Sequence, residues 1–159
     1  MIGGLMEYAI ETTHVTPQLI AAVRARVPRN GVAQSFRSSL DKVWAFLRGH
    51  PGLRTEGHNL FLYHHEPAGS GFMSVDFGVQ VVRRFEPEAE VRCIETPGGE
   101  VVRTSHFGPY EGLSRAHVAI HDWSRKSARG IGGVSWEIYG DWTDDPDKLE
   151  TTVVYLLRP

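Results

Sequence analysis

Cysteine is almost missing from this chain: Cys93 stands alone among 159 residues. A single thiol excludes an internal disulfide framework and any multi-cysteine zinc or redox motif. An excess of one charge is lacking too. Lys and Arg number 17 against 19 Asp and Glu, the formal net charge is −2 and neither end carries a basic arm, so no direct nucleic-acid partner is expected. No apolar run approaches the roughly 20 residues that cross a bilayer. The opening "MIGGLMEYAIE" has neither the basic leader nor the continuous apolar stretch of a signal peptide. With 41% hydrophobic and 23% charged residues, the expectation is one globular domain over 1–159, cytoplasmic and without a membrane partner.

What is present is a dense succession of short elements. Strand-like runs cover 6–13, 19–27, 59–65, 72–85, 91–95, 101–107, 134–141 and 151–157. Two stretches have helical periodicity instead. Val32, Phe36, Leu40, Val43, Trp44 and Leu47 form one apolar stripe, and Leu113, Ala116, Ile120 and Trp123 form another, after "GPYEG" and before Gly130. Connections such as "PAGSG" and "TPGGE" are short, and no linker or low-complexity segment separates the pieces.

The order of elements repeats. Val23-Arg24 and Val102-Arg103 lie 79 residues apart, as do Trp44 and Trp123, and 159 is twice 79 plus one. Each half, approximately 5–85 and 90–159, reads strand, helix, strand, strand, which points to a duplication. The predicted fold is α+β: two βαββ units form an antiparallel sheet with two helices packed on one side. The groove between the related halves is then the natural ligand site.

One strand in the second half contains an anomaly. In "GVSWEIYGDW", alternation sends Trp136, Ile138 and Trp142 to one face and Ser135, Glu137 and Tyr139 to the other. Taken alone, the second face reads as wetted by solvent, as in many antiparallel sheets; the alternative is a pocket floored by Glu137 and Tyr139.

The segments "ETPGGEVVRTSHFGPYEGL", "HDWSRKSARG", "WEIY" and "ETTVVYLLRP" together resemble the GyrI-like (gyrase-inhibitor-like) effector-binding family, which also supplies ligand-binding domains to AraC-type and MerR-type regulators. "AAVRARVP", "FLYHHE" and "MSVDFGVQV" extend the likeness more loosely through the first half. The resemblance implies a duplicated βαββ fold whose central cavity binds aromatic or cationic small molecules. It implies that Glu137 faces the cavity and meets the ligand's positive charge, with Tyr139, Tyr110, Tyr63, Trp136 and His106 as further ligand-binding candidates. An apolar cavity would raise the pKa of such a carboxylate by desolvation, and an incoming hydrophobic cation would compensate its charge. Aromatic faces would add cation–π attraction of about 0.5–2 kcal/mol per contact.

No helix-turn-helix precedes the domain in this sequence, so the expected function is a stand-alone effector or multidrug-binding protein. The runner-up is a hydrolase of cyclopropane-bearing electrophiles, with Glu137 as general base and Tyr110 or Tyr139 as proton donor. A third is a gyrase-inhibitor-like protein that acts through a protein partner. A homodimer is compatible with each.

Other constellations carry less. His117 and His121 lie one helical turn apart in "HVAIH", but the glutamate of H-E-x-x-H is missing and no third ligand is evident, so packing or cavity lining is expected and no metal. His64 and His65 point to opposite strand faces. His106 either orients the Gly-Pro turn or touches a ligand. Cys93 reads as an inert thiol in a strand. "PGGE" and "GIGG" fit turns rather than phosphate loops, "RRFEPEAE" is a solvated charge cluster, and no motif calls for a cofactor.

Overall fold

Alternating apolar residues build eight strands, and the two helical stripes build two helices. The computed structural model describes residues 8–159. Its elements are β1 Glu11–Val15, β2 Leu19–Pro28, α1 Val32–Arg48, β3 Asn59–His65, β4 Phe72–Gln80, β5 Arg92–Glu95, β6 Gly99–Phe107, α2 Ser114–Ser127, β7 Ile131–Tyr139 and β8 Glu150–Leu157. All strands join one antiparallel sheet in the order β1-β6-β8-β7-β3-β4-β2-β5. The fold is therefore α+β as expected, and the duplication is visible in the sheet. The runs β2-β4-β3 and β6-β8-β7 mirror each other across the β3–β7 junction.

Three strands have an end that differs from the sequence reading by more than two residues. The first strand spans Glu11–Val15 rather than 6–13, because it pairs only where β6 runs beside it, from Glu11 opposite Arg103 to Val15 opposite Gly99. Tyr8 and Ile10 instead pack beside the core under α2, and residues 6 and 7 lie outside the described residues. The run 72–85 stops at Gln80, the last residue opposite β2; Val81 and Val82 then bond backbone to Leu19 and Leu53. The strand expected at 134–141 starts earlier and ends at Tyr139. Its pairing with β8 shifts between Ile131 and Ser135, where Gly132 lies against the Leu156 carbonyl; a Cβ there would stand 3.2 Å from that oxygen.

The two halves exchange their leading segments. β1 runs into β2 through Thr16, Pro17 and Gln18, yet pairs with β6 of the other half. β5 runs into β6 through Thr96, Pro97 and Gly98, yet pairs with β2. The two bends meet: Gln18 N donates to Thr96 Oγ1 at 2.9 Å, and Thr96 N donates to Gln18 O at 2.8 Å. A Cβ on Gly98 would lie 2.7 Å from the Pro17 ring, so only glycine fits there.

Both helices cover the same sheet face. Leu40, Val43, Phe46 and Leu47 of α1 pack with Val23, Val75 and Phe77. Ala116 and Ile120 of α2 pack with Val102 and Val153. The face without helices is just as dry: Ile20, Ala22, Leu60, Leu62, Val101, Trp136 and Val154 cluster there, each no more than 4% exposed. With no helix to cover them, these side chains are covered by the sheet curling upon itself. Arg24 donates twice to the buried Asp76 at 2.8 and 2.9 Å beside this inner core, and His64 Nε2 lies 2.8 Å from the same carboxylate.

Because the curl buries it, Leu62→Ala should behave as a core deletion. We expect it to lower unfolding free energy by about 2–5 kcal/mol in urea titration; a solvated face would give a loss of less than about 0.5 kcal/mol.

Candidate ligand-binding site

The position of the groove follows from where the helices lie. α1 packs over β2 and β4, and α2 over β6 and β8, leaving the central pair β3 and β7 as an uncovered floor. The register sets Phe61 opposite Glu137 and Tyr63 opposite Ser135, and on the other side Glu137 opposite Val153 and Ser135 opposite Tyr155. The resulting cavity has a volume of about 760 Å³, within the range for a drug-sized ligand. Phe36, Leu40 and Trp44 line it from α1, Leu113 and His117 from the α2 side, and Tyr110 and Trp142 at exposed positions.

Glu137 sits on this floor with 5% exposure and every part of its carboxylate engaged. Tyr63 and Tyr139 both donate to Oε1 at 2.5 Å, and His117 Nε2 lies 2.6 Å from Oε2. Because an ionised carboxylate only accepts, Nε2 carries the proton in that bond. His117 Nδ1 lies 2.8 Å from the Tyr155 hydroxyl, which is also 3.4 Å from His121 Nε2. His65 Nε2 bonds Ser135 Oγ at 2.8 Å on the same floor.

The net effect on Glu137 is opposite in sign to that expected of an apolar cavity. Burial pushes its pKa up, but bonds from His117, Tyr139 and Tyr63 and the charge of His117 outweigh burial, so the carboxyl lies below its ordinary value. The phenols respond in the other direction. Burial and the Glu137 charge raise Tyr63 and Tyr139 well above 10 and Tyr155 to about 12, so all three remain donors at neutral pH.

The structure brings together Glu137, Tyr139 and Tyr63 and places Tyr110 nearby, its ring centroid 5.7 Å from that of Tyr139. Tyr110 begins a single 3-10 turn, Tyr110–Gly112, rather than α2 itself. Trp136 and His106 are not in the groove. Trp136 points to the helix-free face, as strand alternation demands, and is 3% exposed in the inner core. His106 is buried with its Nδ1 bonded to Tyr8 and its Nε2 to the Pro109 carbonyl, so it orients the Gly-Pro turn. Trp142 does line the groove, because β7 ends at Tyr139 and face alternation ends with it.

His117 lines the cavity, one of the two roles its place in the Leu113–Ile120 stripe suggests, whereas Tyr155, Phe36 and Trp44 line it without having been singled out by the sequence. Tyr155 shares a face with Val153 and Leu157 and so reads as core. Among the described residues, no cluster of three or more His, Cys, Asp or Glu is arranged to hold a metal ion, and no helix is long and apolar enough to cross a membrane.

Glu137 binds a proton less readily folded than unfolded, so the unfolded chain takes up more protons in acid. Its contribution to stability is therefore complete above pH 4.5 and is lost as pH falls through the lower, folded value. Urea midpoints measured from about pH 6 down to 3 should fall less steeply for Glu137→Gln than for the native chain.

Solved structures share this fold. The EcmrR C-terminal domain superposes with a TM-score of 0.80 at 20% identity, covering 96% of this chain and 99% of that one. SAV2435 bound to tetraphenylphosphonium gives 0.62 at 14%, covering 96% and 94%. A hydrolase from Listeria innocua gives 0.59 at 11%, covering 94% and 91%. No curated protein matches in sequence. The model of the GyrI-like family, described as a GyrI-like small molecule binding domain, matches residues 6–157, and the chain belongs to that family.

Proposed function

We propose that this GyrI-like domain binds hydrophobic aromatic cations in the groove between its helices, with Glu137 as the charge partner. The observation that carries this is a 5%-exposed carboxylate, bonded by two phenols and an imidazole, on the floor of a cavity of about 760 Å³ that is walled largely by aromatic and aliphatic side chains. A cation there gains direct attraction in a weakly screened setting. The lining rings of Tyr63, Tyr139 and Phe61 offer further cation–π contacts of about 0.5–2 kcal/mol each. That a similarly folded protein has been solved with tetraphenylphosphonium supports the same ligand class here. Mixed aromatic and aliphatic walls favour flat apolar groups without demanding one outline.

Hydrolysis of an electrophile in the same groove is supported less well. A carboxyl held below its ordinary value is a weak base, and the Tyr139 hydroxyl is already committed to it. Incubation with a cyclopropane-bearing electrophile, followed by liquid chromatography with mass detection, should return the compound unaltered.

The charge claim is tested by calorimetric titration with tetraphenylphosphonium and neutral triphenylphosphine oxide. Glu137→Gln should weaken the cation by about ten- to hundredfold, equivalent to a charged contact of about 1.5–3 kcal/mol, and the oxide by less than about threefold. Equal losses for both ligands would remove Glu137 as the source of charge selectivity.

A further inference from the structure

A carboxylate kept for cations needs a partner while the groove is empty, and this chain carries one of its own. Tyr63 and Tyr139 hold Oε1, and their raised pKa values keep them neutral donors. His117, 2.6 Å from Oε2, differs from them because an imidazole can be neutral or carry a full positive charge without leaving its place. We propose that His117 is the resident counter-ion of the site, and that a cation binding beside Glu137 does so with loss of a proton from His117. The inference rests on the cation-binding function above and adds its regulation.

The hydrogen bonds around His117 fit both charge states. With neutral imidazole, Nε2–H donates to Glu137 and the Tyr155 hydroxyl donates to Nδ1. With imidazolium, Nδ1–H donates to Tyr155, whose own proton can turn toward His121 Nε2, 3.4 Å away. Neither state strands a buried polar atom, so the switch needs only a rotated hydroxyl. His121 is exposed, so the chain His117–Tyr155–His121 also leads the proton outward to solvent.

The surroundings single out His117. From β7 it faces Glu137 and, through it, Tyr139; from β3, Tyr63 and His65; from β8, Tyr155; and on its own helix, His121. His65 and His121 are both pushed below ordinary histidine values, by burial first and then by neighbouring positive charge, including that of His117. Across the groove α1 contributes Val32, Ala33, Phe36, Leu40 and Trp44, none of them titratable. Of the other charged lining residues, Arg54 lies over the Trp44 ring and bonds the Gly57 carbonyl, and Asp141 pairs with His58. Among the described residues, only His117 touches the carboxylate with a charge that can come and go.

The consequence is competition between a proton and a ligand. In acid the imidazolium neutralises Glu137, and a second cation enters against a like charge. As the imidazole loses its proton, the carboxylate becomes available and cations bind more tightly, while neutral aromatic ligands do not respond.

Calorimetry of the full chain with tetraphenylphosphonium, from about pH 5.5 to 8.5 in paired buffers of different ionisation enthalpy, tests this over the histidine range. Over this range the dissociation constant should fall as pH rises, by up to about tenfold per unit, with release of up to about one proton per ligand. Triphenylphosphine oxide should show neither effect. His117→Gln, which keeps a donor to Glu137, should abolish both the pH dependence of cation affinity and the proton release. Cation binding that is independent of pH and releases no proton overturns the proposal. So does proton release that survives in His117→Gln, which would assign the proton to His65 or His121. If tetraphenylphosphonium binds neither protein at any pH, the cation-binding function fails instead.

Discussion

A carboxylate withdrawn from water must be met by donors or by charge, and the arrangement of this groove follows from that requirement at Glu137. Isolated burial would drive the group toward its neutral form. Two phenols and an imidazole reverse the outcome, and they come from β3, β7 and α2. The residue therefore ties both halves of the chain together across the floor of the cavity. Its negative charge is retained because the donors are fixed by packing: Tyr63 is 6% exposed, and its ring lies in the α1 core. A site organised in advance in this way does not have to assemble donors when a ligand arrives.

The cavity is also a product of symmetry. Each helix covers the outer strands of its own unit, so duplication leaves the two inner strands bare where the units meet. The walls have diverged although the architecture has not. α1 faces the space with apolar and aromatic side chains, whereas the α2 side adds Ser114 and His117. The space is therefore polarised, with its polar groups toward α2 and its apolar wall toward α1.

Much of the fold is legible in the sequence because period and burial agree. The stripe from Leu40 to Leu47 and the alternation in "GVSWEIY" place their residues correctly, and the repeat in element order foretells both the sheet and the groove. Strand limits are legible only where a partner strand shares them. Nothing in 72–85 marks Gln80 as the end, because β2 sets that limit from more than fifty residues away. At the site, Glu137 stands out as a charge in an apolar strand, while Tyr155 looks like any inward-facing core aromatic. Trp136 and His106 show the converse: the first lies behind the sheet although Ser135 and Glu137 on either side of it face the groove, and the second holds a turn. The depressed pKa of Glu137 was beyond the sequence altogether, since it depends on His117, twenty positions away, meeting the second carboxylate oxygen.

The crossed leading segments have a bearing on ancestry and on assembly. A single βαββ unit with its first strand turned away would leave its β2-type edge open and its helix-free face uncovered. A second copy offers the missing strand and receives one in return, as β5 does for β2 and β1 does for β6. The present chain has the form of a strand-swapped dimer whose two subunits have been joined covalently through residues 81–91. The join fixes the two copies at equal concentration and in one register, and so frees one copy to acquire a glutamate and a histidine that the other never had to match.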